Sequence, residues 1–200
     1  PVALFPQYRD AQALAGADRV HPADLWPVER RFREPEGAVS LPPLPYGPEA
    51  RARLDAAVLR IVKSGDLKAA LSLRDTCLGF VAAQTDRQAR AFWKICAGFF
   101  DAFGSGLLPP DVYVKRVASR VLMQYATLAK GDPTIADRLV QDLLFFCSQA
   151  RVADLPDDAA PSLRAVRQAF ALDRFKPVDY ETARFGRFDP AVLALSLIHI

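Results

Sequence analysis

Apolar residues recur at helical spacing through most of this chain, and polar residues fall on the opposite faces. The pattern is clearest from Asp86 to Arg151. At 100° per residue, Phe92, Trp93, Cys96, Phe99, Phe100 and Phe103 share one broad face. Arg87, Arg90, Lys94 and Asp101 share the narrow opposite face, which predicts a solvated strip. The next segment, 111–131, buries Val114, Val117, Val121, Tyr125 and Leu128 and turns Arg116 and Arg120 outward. Segment 134–151 is apolar around most of its circumference, with Asp137, Gln141, Ser148 and Gln149 as its polar strip. A helix that apolar is expected at the centre of a bundle.

Flanking segments repeat the pattern more weakly. Leu54, Val58, Ile61 and Val62 predict a helix over 48–63, and Leu67, Leu71, Leu78 and Val81 another over 66–84. Leu163, Val166 and Phe170 predict one over 161–172, and a short piece spans 7–14. Gly65, Gly104, Gly106, Pro109, Pro110 and Gly131 punctuate the series, and Asp66 and Asp111 are placed to cap the helices that follow. No alternating strand pattern and no 20–50-residue repeat is present, so the fold class expected is an all-α helical bundle.

The ends of the chain differ. Residues 1–47 form an expected arm, with His21-Pro22, Trp26 as an anchor on the bundle, and a proline-rich connector over 33–48. The PPLP within that connector could dock into an aromatic groove; a stiff spacer is the plainer reading. The bundle proper is expected over 48–172. An irregular wrap follows over 173–194, with Phe175, Tyr180, Phe185 and Phe188 in surface grooves and a last helix near Pro190. The closing LSLIHI, 195–200, turns abruptly apolar and is expected to be non-native, with the natural chain continuing otherwise.

Composition narrows the chemistry. Hydrophobic residues at 51% suffice for a packed core, and a net charge of +3 lacks the concentrated basic stripe of a nucleic-acid binder. No apolar run reaches the ~20 residues needed to span a bilayer. Cys77, Cys96 and Cys147 are isolated in apolar patterns, as expected of reduced core thiols, and lack the spacing of a metal site. No phosphate-binding glycine loop occurs, and His21, the one histidine outside the LSLIHI tail, has no nucleophile elbow beside it. Neither a catalytic residue nor a cofactor is therefore expected. The exposed cations Arg87, Arg90, Lys94, Arg116 and Arg120 are the candidate partner surface, against the alternative of ordinary solvated faces.

The run FWKICAGFFDAFGSGLLPPDVYVKRVASRVLMQYATLAKG, followed by ADRLVQDLLFFCSQA, resembles the N-terminal region of the CheA-type hybrid histidine kinases of type IV pilus chemosensory systems, the PilL and ChpA proteins. It is also similar to the FimL-like scaffolds. LFPQYRDAQALAGADRVHPADLWPVE and RFKPVDYETARFGRFDP extend the likeness over nearly all of residues 1–194. The resemblance implies a fold related to histidine phosphotransfer bundles, which display an H-x-x-K-G pattern in mid-helix. This chain departs from it: Lys94 and Gly98 stand on the polar side of 86–104, but no histidine lies in that segment or in the two that follow. The resemblance thus implies a non-catalytic, cytoplasmic scaffold module. Its partners would be proteins of the pilus machinery and the phosphotransfer and kinase domains beyond residue 200. A stand-alone FimL-like scaffold, a true phosphotransfer domain using His21, and an unrelated helical adaptor are the alternatives.

Overall fold

The computed structural model describes residues 1–26, 33–153 and 155–182. It is all-helical, and the described residues form no strand. The chain divides into two compact units, Pro1–Pro27 with Val178–Ile200, and Val28–Pro177.

In the first unit, α1 (Phe5–Leu14) begins with Pro6 in its opening turn, where the missing amide costs nothing. It starts two residues before the expected Gln7. A 3-10 turn, Pro22–Leu25, follows, capped by His21. Trp26 and Tyr180 are buried. The expected grooves for Phe185 and Phe188, the helix at Pro190 and the LSLIHI tail lie outside the described residues.

Among the described residues the second unit holds six α-helices: α2 (Pro48–Ser64), α3 (Leu67–Ala83), α4 (Arg87–Gly104), α5 (Val112–Ala129), α6 (Asp137–Gln149) and α7 (Pro161–Ala169). Asp66, Asp86 and Asp111 each accept a backbone amide from the first turn of α3, α4 and α5, at 2.7–3.0 Å. Each such cap satisfies a donor that the helix itself cannot, for about 1 kcal/mol. Helix α7 stops at Ala169, short of the expected Leu172. Ala171 adopts a left-handed φ of 51°, and the chain restarts as a 3-10 turn, Leu172–Arg174.

Packing runs α2 on α3, α3 on α4, α4 on α6, α6 on α5 and α5 back on α2, which closes a ring. Helix α7 lies against α4 and α6. An aromatic cluster ties the ring together. Phe80 of α3 stands 4.7 Å from Trp93 of α4 and 5.4 Å from Tyr125 of α5, centroid to centroid. Tyr46, just before α2, joins both Phe80 and Tyr125 at 5.3 and 5.4 Å. Phe80, Trp93 and Tyr125 are buried and each contributes about 1.5–3 kcal/mol by leaving water, while Tyr46 is half-buried.

The central helix is α4 and not the 134–151 segment expected from its apolarity. From Ile95 to Gly104 every residue of α4 is buried, and α3, α6 and α7 all pack on it. Helix α6 is buried from Asp142 onward, while Asp137 and Arg138 in its first turn are exposed. Periodicity reports how apolar a helix is, not how many neighbours cover it. Val62 and Leu67, expected inside, are exposed at 39% and 43% at the α2–α3 corner.

Close approach of α7 depends on Gly98. A Cβ there would stand 2.6 Å from Val166 Cγ2 and 3.1 Å from the Ser162 carbonyl oxygen. Val166 is β-branched and cannot swing away. Glycine on the supposed polar side of α4 is therefore the seat of a neighbouring helix.

Candidate interaction surface

Beyond Arg87, which reaches solvent, the polar strip of α4 is covered in part or whole, and what covers it defines the site. At its N-terminal end lies the segment Arg33–Gly47. Glu34 is only 12% exposed and meets three cations: Arg90 Nη2 at 2.6 Å, Lys94 Nζ at 3.1 Å and Arg87 Nε at 3.9 Å. Arg90 also donates through Nε at 3.2 Å. Lys94 Nζ donates to the Pro35 carbonyl oxygen at 2.8 Å, and Pro35 is buried. Arg33 Nη1 reaches the Ala169 carbonyl at the end of α7, at 3.1 Å.

The same segment is fastened again at its far end. Leu44 N–H donates to the Gly79 carbonyl oxygen of α3 at 2.9 Å, and a Cβ on Gly79 would come within 2.9 Å of Leu44. Trp93 Nε1–H donates to Tyr46 Oη at 2.7 Å, and Gly47 exchanges hydrogen bonds with Tyr125 Oη at 3.0 Å. Burial pushes the Tyr46 phenol up to about 12. The connector is thus a strap lying on α3, α4 and α5, with Pro42, Pro43 and Pro45 exposed along its outer edge.

Glu34 is held ionised. Burial acts to raise its pKa, but the hydrogen bonds and charges of Arg90 and Lys94 outweigh that and keep it below the ordinary 4.5. A carboxyl depressed in the folded state stabilises fully above its unfolded pKa and loses that contribution as pH falls through the folded value. The stability difference between the native chain and Glu34→Gln is therefore expected to be constant above about pH 5 and to shrink steadily below 4.5. Urea midpoints of both chains at pH 7, 4.5 and 3 measure it.

The sequence-predicted cations separate into two groups. Arg87 is 78% exposed, and Arg116 is exposed, 6.0 Å above the Tyr113 ring. Both reach solvent. Lys94 at 14% and Arg120 at 28% do not stand on free strips. Arg120 turns toward α6 and pairs through Nη1 with Asp142, which is fully buried and also 3.7 Å from Arg138 Nε. Helical phase placed Arg120 opposite the core of α5 but could not show that α6 packs along that side.

Two more buried polar groups serve the packing. Asp101, expected on the solvated face, is fully buried. It pairs with Arg74 of α3 at 3.0 Å and accepts the Ser162 and Leu163 amides at 3.0 and 3.3 Å, capping α7 from another helix. Arg167 of α7 returns the favour, donating to the Cys147 and Ser148 carbonyl oxygens at the end of α6 at 2.8 and 3.2 Å. Cys77, Cys96 and Cys147 are buried free thiols. Burial pushes Cys96 up and Cys147 to about 12, which leaves both un-ionised and unreactive at neutral pH.

Sequence reasoning missed Glu34, Asp142 and Tyr46. Glu34 sits in a run that looked like linker. Asp142 did leave a signal: one carboxylate, four residues after Arg138, inside an otherwise apolar turn.

A cleft of about 270 Å³ between Tyr46, Arg51, Tyr125 and Lys130 has no acid–base pair in its lining. His21 is 5% exposed, and its Nδ1 accepts the Ala23 amide at 3.1 Å. Among the described residues no group of three or more His, Cys, Asp or Glu could hold a metal, and no helix is long and apolar enough to cross a membrane. No curated protein and no solved structure matches the chain. Residues 42–183, which take in all of α2 to α7, match the family model of the FimL scaffold protein second domain, and the chain belongs to that family.

Proposed function

We propose that this chain is a non-catalytic, cytoplasmic docking module of type IV pilus chemosensory signalling, placed at the N-terminus of a CheA-type hybrid histidine kinase. Its bundle is related to histidine phosphotransfer domains but does not transfer phosphate. The observation that carries this reading is the state of α4. A phosphotransfer bundle needs an imidazole in open solvent in mid-helix. Here no histidine lies between Arg33 and Thr182, and the mid-helix polar positions of α4, Lys94, Gly98 and Asp101, lie against the strap, α7 and α3. Membership of a scaffold family supports the same conclusion.

The contact surface in this reading is the set of cations on α4 and α5: Arg87, Arg90 and Lys94 around the strap, and Arg116 outside it. Arg120 contributes indirectly, by holding α5 on α6. Partners are other proteins of the pilus machinery and the downstream phosphotransfer and kinase domains.

The test combines two readouts on one protein. The immobilised chain is expected to retain the purified CheA-type kinase domains of its own pilus system. Arg87→Glu with Arg116→Glu is expected to lower that retention at least tenfold while leaving the melting temperature nearly unchanged, since both side chains are exposed. With the same kinase and labelled ATP, no acid-labile phosphate is expected on this chain. Label on His21, or equal retention of wild type and variant, overturns the proposal.

A further inference from the structure

We propose that the Arg87–Arg90–Lys94 face is a recognition site for an extended acidic-residue–proline segment of a partner, and that Glu34-Pro35 occupies it as an internal stand-in. The inference rests on the reading of these cations as contact surface and adds what they contact and how access is controlled.

Four observations support it. Three cations converge on the single Glu34 carboxylate, so the site carries more positive charge than its occupant neutralises. The contacts read a peptide and not merely a charge: Arg90 makes two donations to the carboxylate, Lys94 donates to the next carbonyl, and the Pro35 ring is buried beside them. The occupant is detachable in principle. Glu36, Gly37 and Ala38 are exposed, and Gly37, at φ 115°, supplies a backbone pivot between the Glu34 end and the Leu44–Gly47 end. Finally, the three cations lie inside the region matched to the scaffold domain, whereas Glu34 precedes it. The domain thus contributes the receptor, and its flanking segment contributes the occupant.

An occupant in cis reduces apparent affinity for one in trans by the fraction of time the site is empty. Lifting Glu34 therefore uncovers the site without building a new one. The probe is a fluorescent peptide of residues 33–40, REPEGAVS, added to the full chain and followed by anisotropy. Wild type is expected to bind it weakly. Glu34→Lys, whose new charge is repelled by the three cations, is expected to bind at least tenfold tighter, with Glu34→Gln between them. The peptide carrying Gln in place of its first Glu, or the Glu34→Lys chain also carrying Arg90→Glu, is expected to lose that gain. Circular dichroism confirms that each variant remains helical.

Equal binding to wild type and Glu34→Lys overturns the inference. So does indifference to the peptide's Glu, and so does displacement by millimolar inorganic phosphate as efficient as by unlabelled peptide, which marks a general anion site. The peptide result reads the stand-in alone. Kinase retention reads the docking function, so either can fail without the other.

Discussion

Arg120→Glu is expected to destabilise the bundle by about 3–5 kcal/mol, although Arg120 looks like a surface residue in the sequence. Asp142 on α6 is fully buried, and Arg120 closes over it with Nη1 in direct contact. Reversal puts a second carboxylate against the first where water cannot screen it. Arg138, 3.7 Å away on the outer side and 47% exposed, offsets only part of that. For a chain of this length each kcal/mol lowers Tm by about 2–4 °C, so a loss of roughly 6–20 °C is expected. Arg116→Glu, one turn earlier on the same helix and exposed, is expected to stay within about 0.5 kcal/mol. Thermal melts of the two variants side by side decide the matter; equal Tm values would show that the Arg120–Asp142 pair holds nothing together. The contrast bears on function too. A binding defect in an Arg120 variant reports unfolding of the α5–α6 seam, whereas one in an Arg116 variant reports the surface.

Asp101→Ala is expected to cost a similar ~3–5 kcal/mol, concentrated in α7. The carboxylate does two jobs from one buried position. It pairs with Arg74, and it caps a helix that has no side-chain cap of its own, since Ala160 precedes α7 in a left-handed conformation. Alanine leaves the Ser162 and Leu163 amides without their acceptor and Arg74 with Asp75 alone. Asp101→Asn keeps an acceptor for the amides and removes the charge, and its expected loss is smaller, about 1–2 kcal/mol. Amide hydrogen exchange is the informative measurement. In Asp101→Ala, α7 is expected to lose protection before α2, α3 and α5 do. Uniform loss across the bundle would mean that α7 is not held at this point.

Much of the bundle was legible because helix formation and capping are local. The segments over 48–63, 66–84, 86–104 and 111–131 coincide with α2 to α5 within a few residues, and Asp66 and Asp111 cap as their positions suggested. The all-α class follows from the same periodicity, and family membership from whole-segment likeness. The candidate site was half legible. Arg87, Arg90, Lys94 and Arg116 are cations on helix faces, and the helical wheel finds such faces. It cannot find what lies across them. Glu34 stands fifty-six residues from Arg90 and Asp142 twenty-two from Arg120, and nothing in either local sequence encodes the encounter.

The sequence alone determined where α2 to α5 start and stop to within a few residues, which faces are apolar, that no histidine stands in the bundle, and the family to which the chain belongs. Each depends on neighbours a few residues apart or on identity itself. Only the tertiary structure decided which polar faces are free. The α4 strip from Arg87 to Asp101 satisfies every rule for a solvated surface when α4 is considered alone. Arg87 does reach solvent, but from Arg90 to Asp101 the strip meets the strap and α7 because Glu34, Gly98 and Asp101 make that covering favourable. Charge pairing and close backbone approach offset the desolvation that a single helix would never undergo.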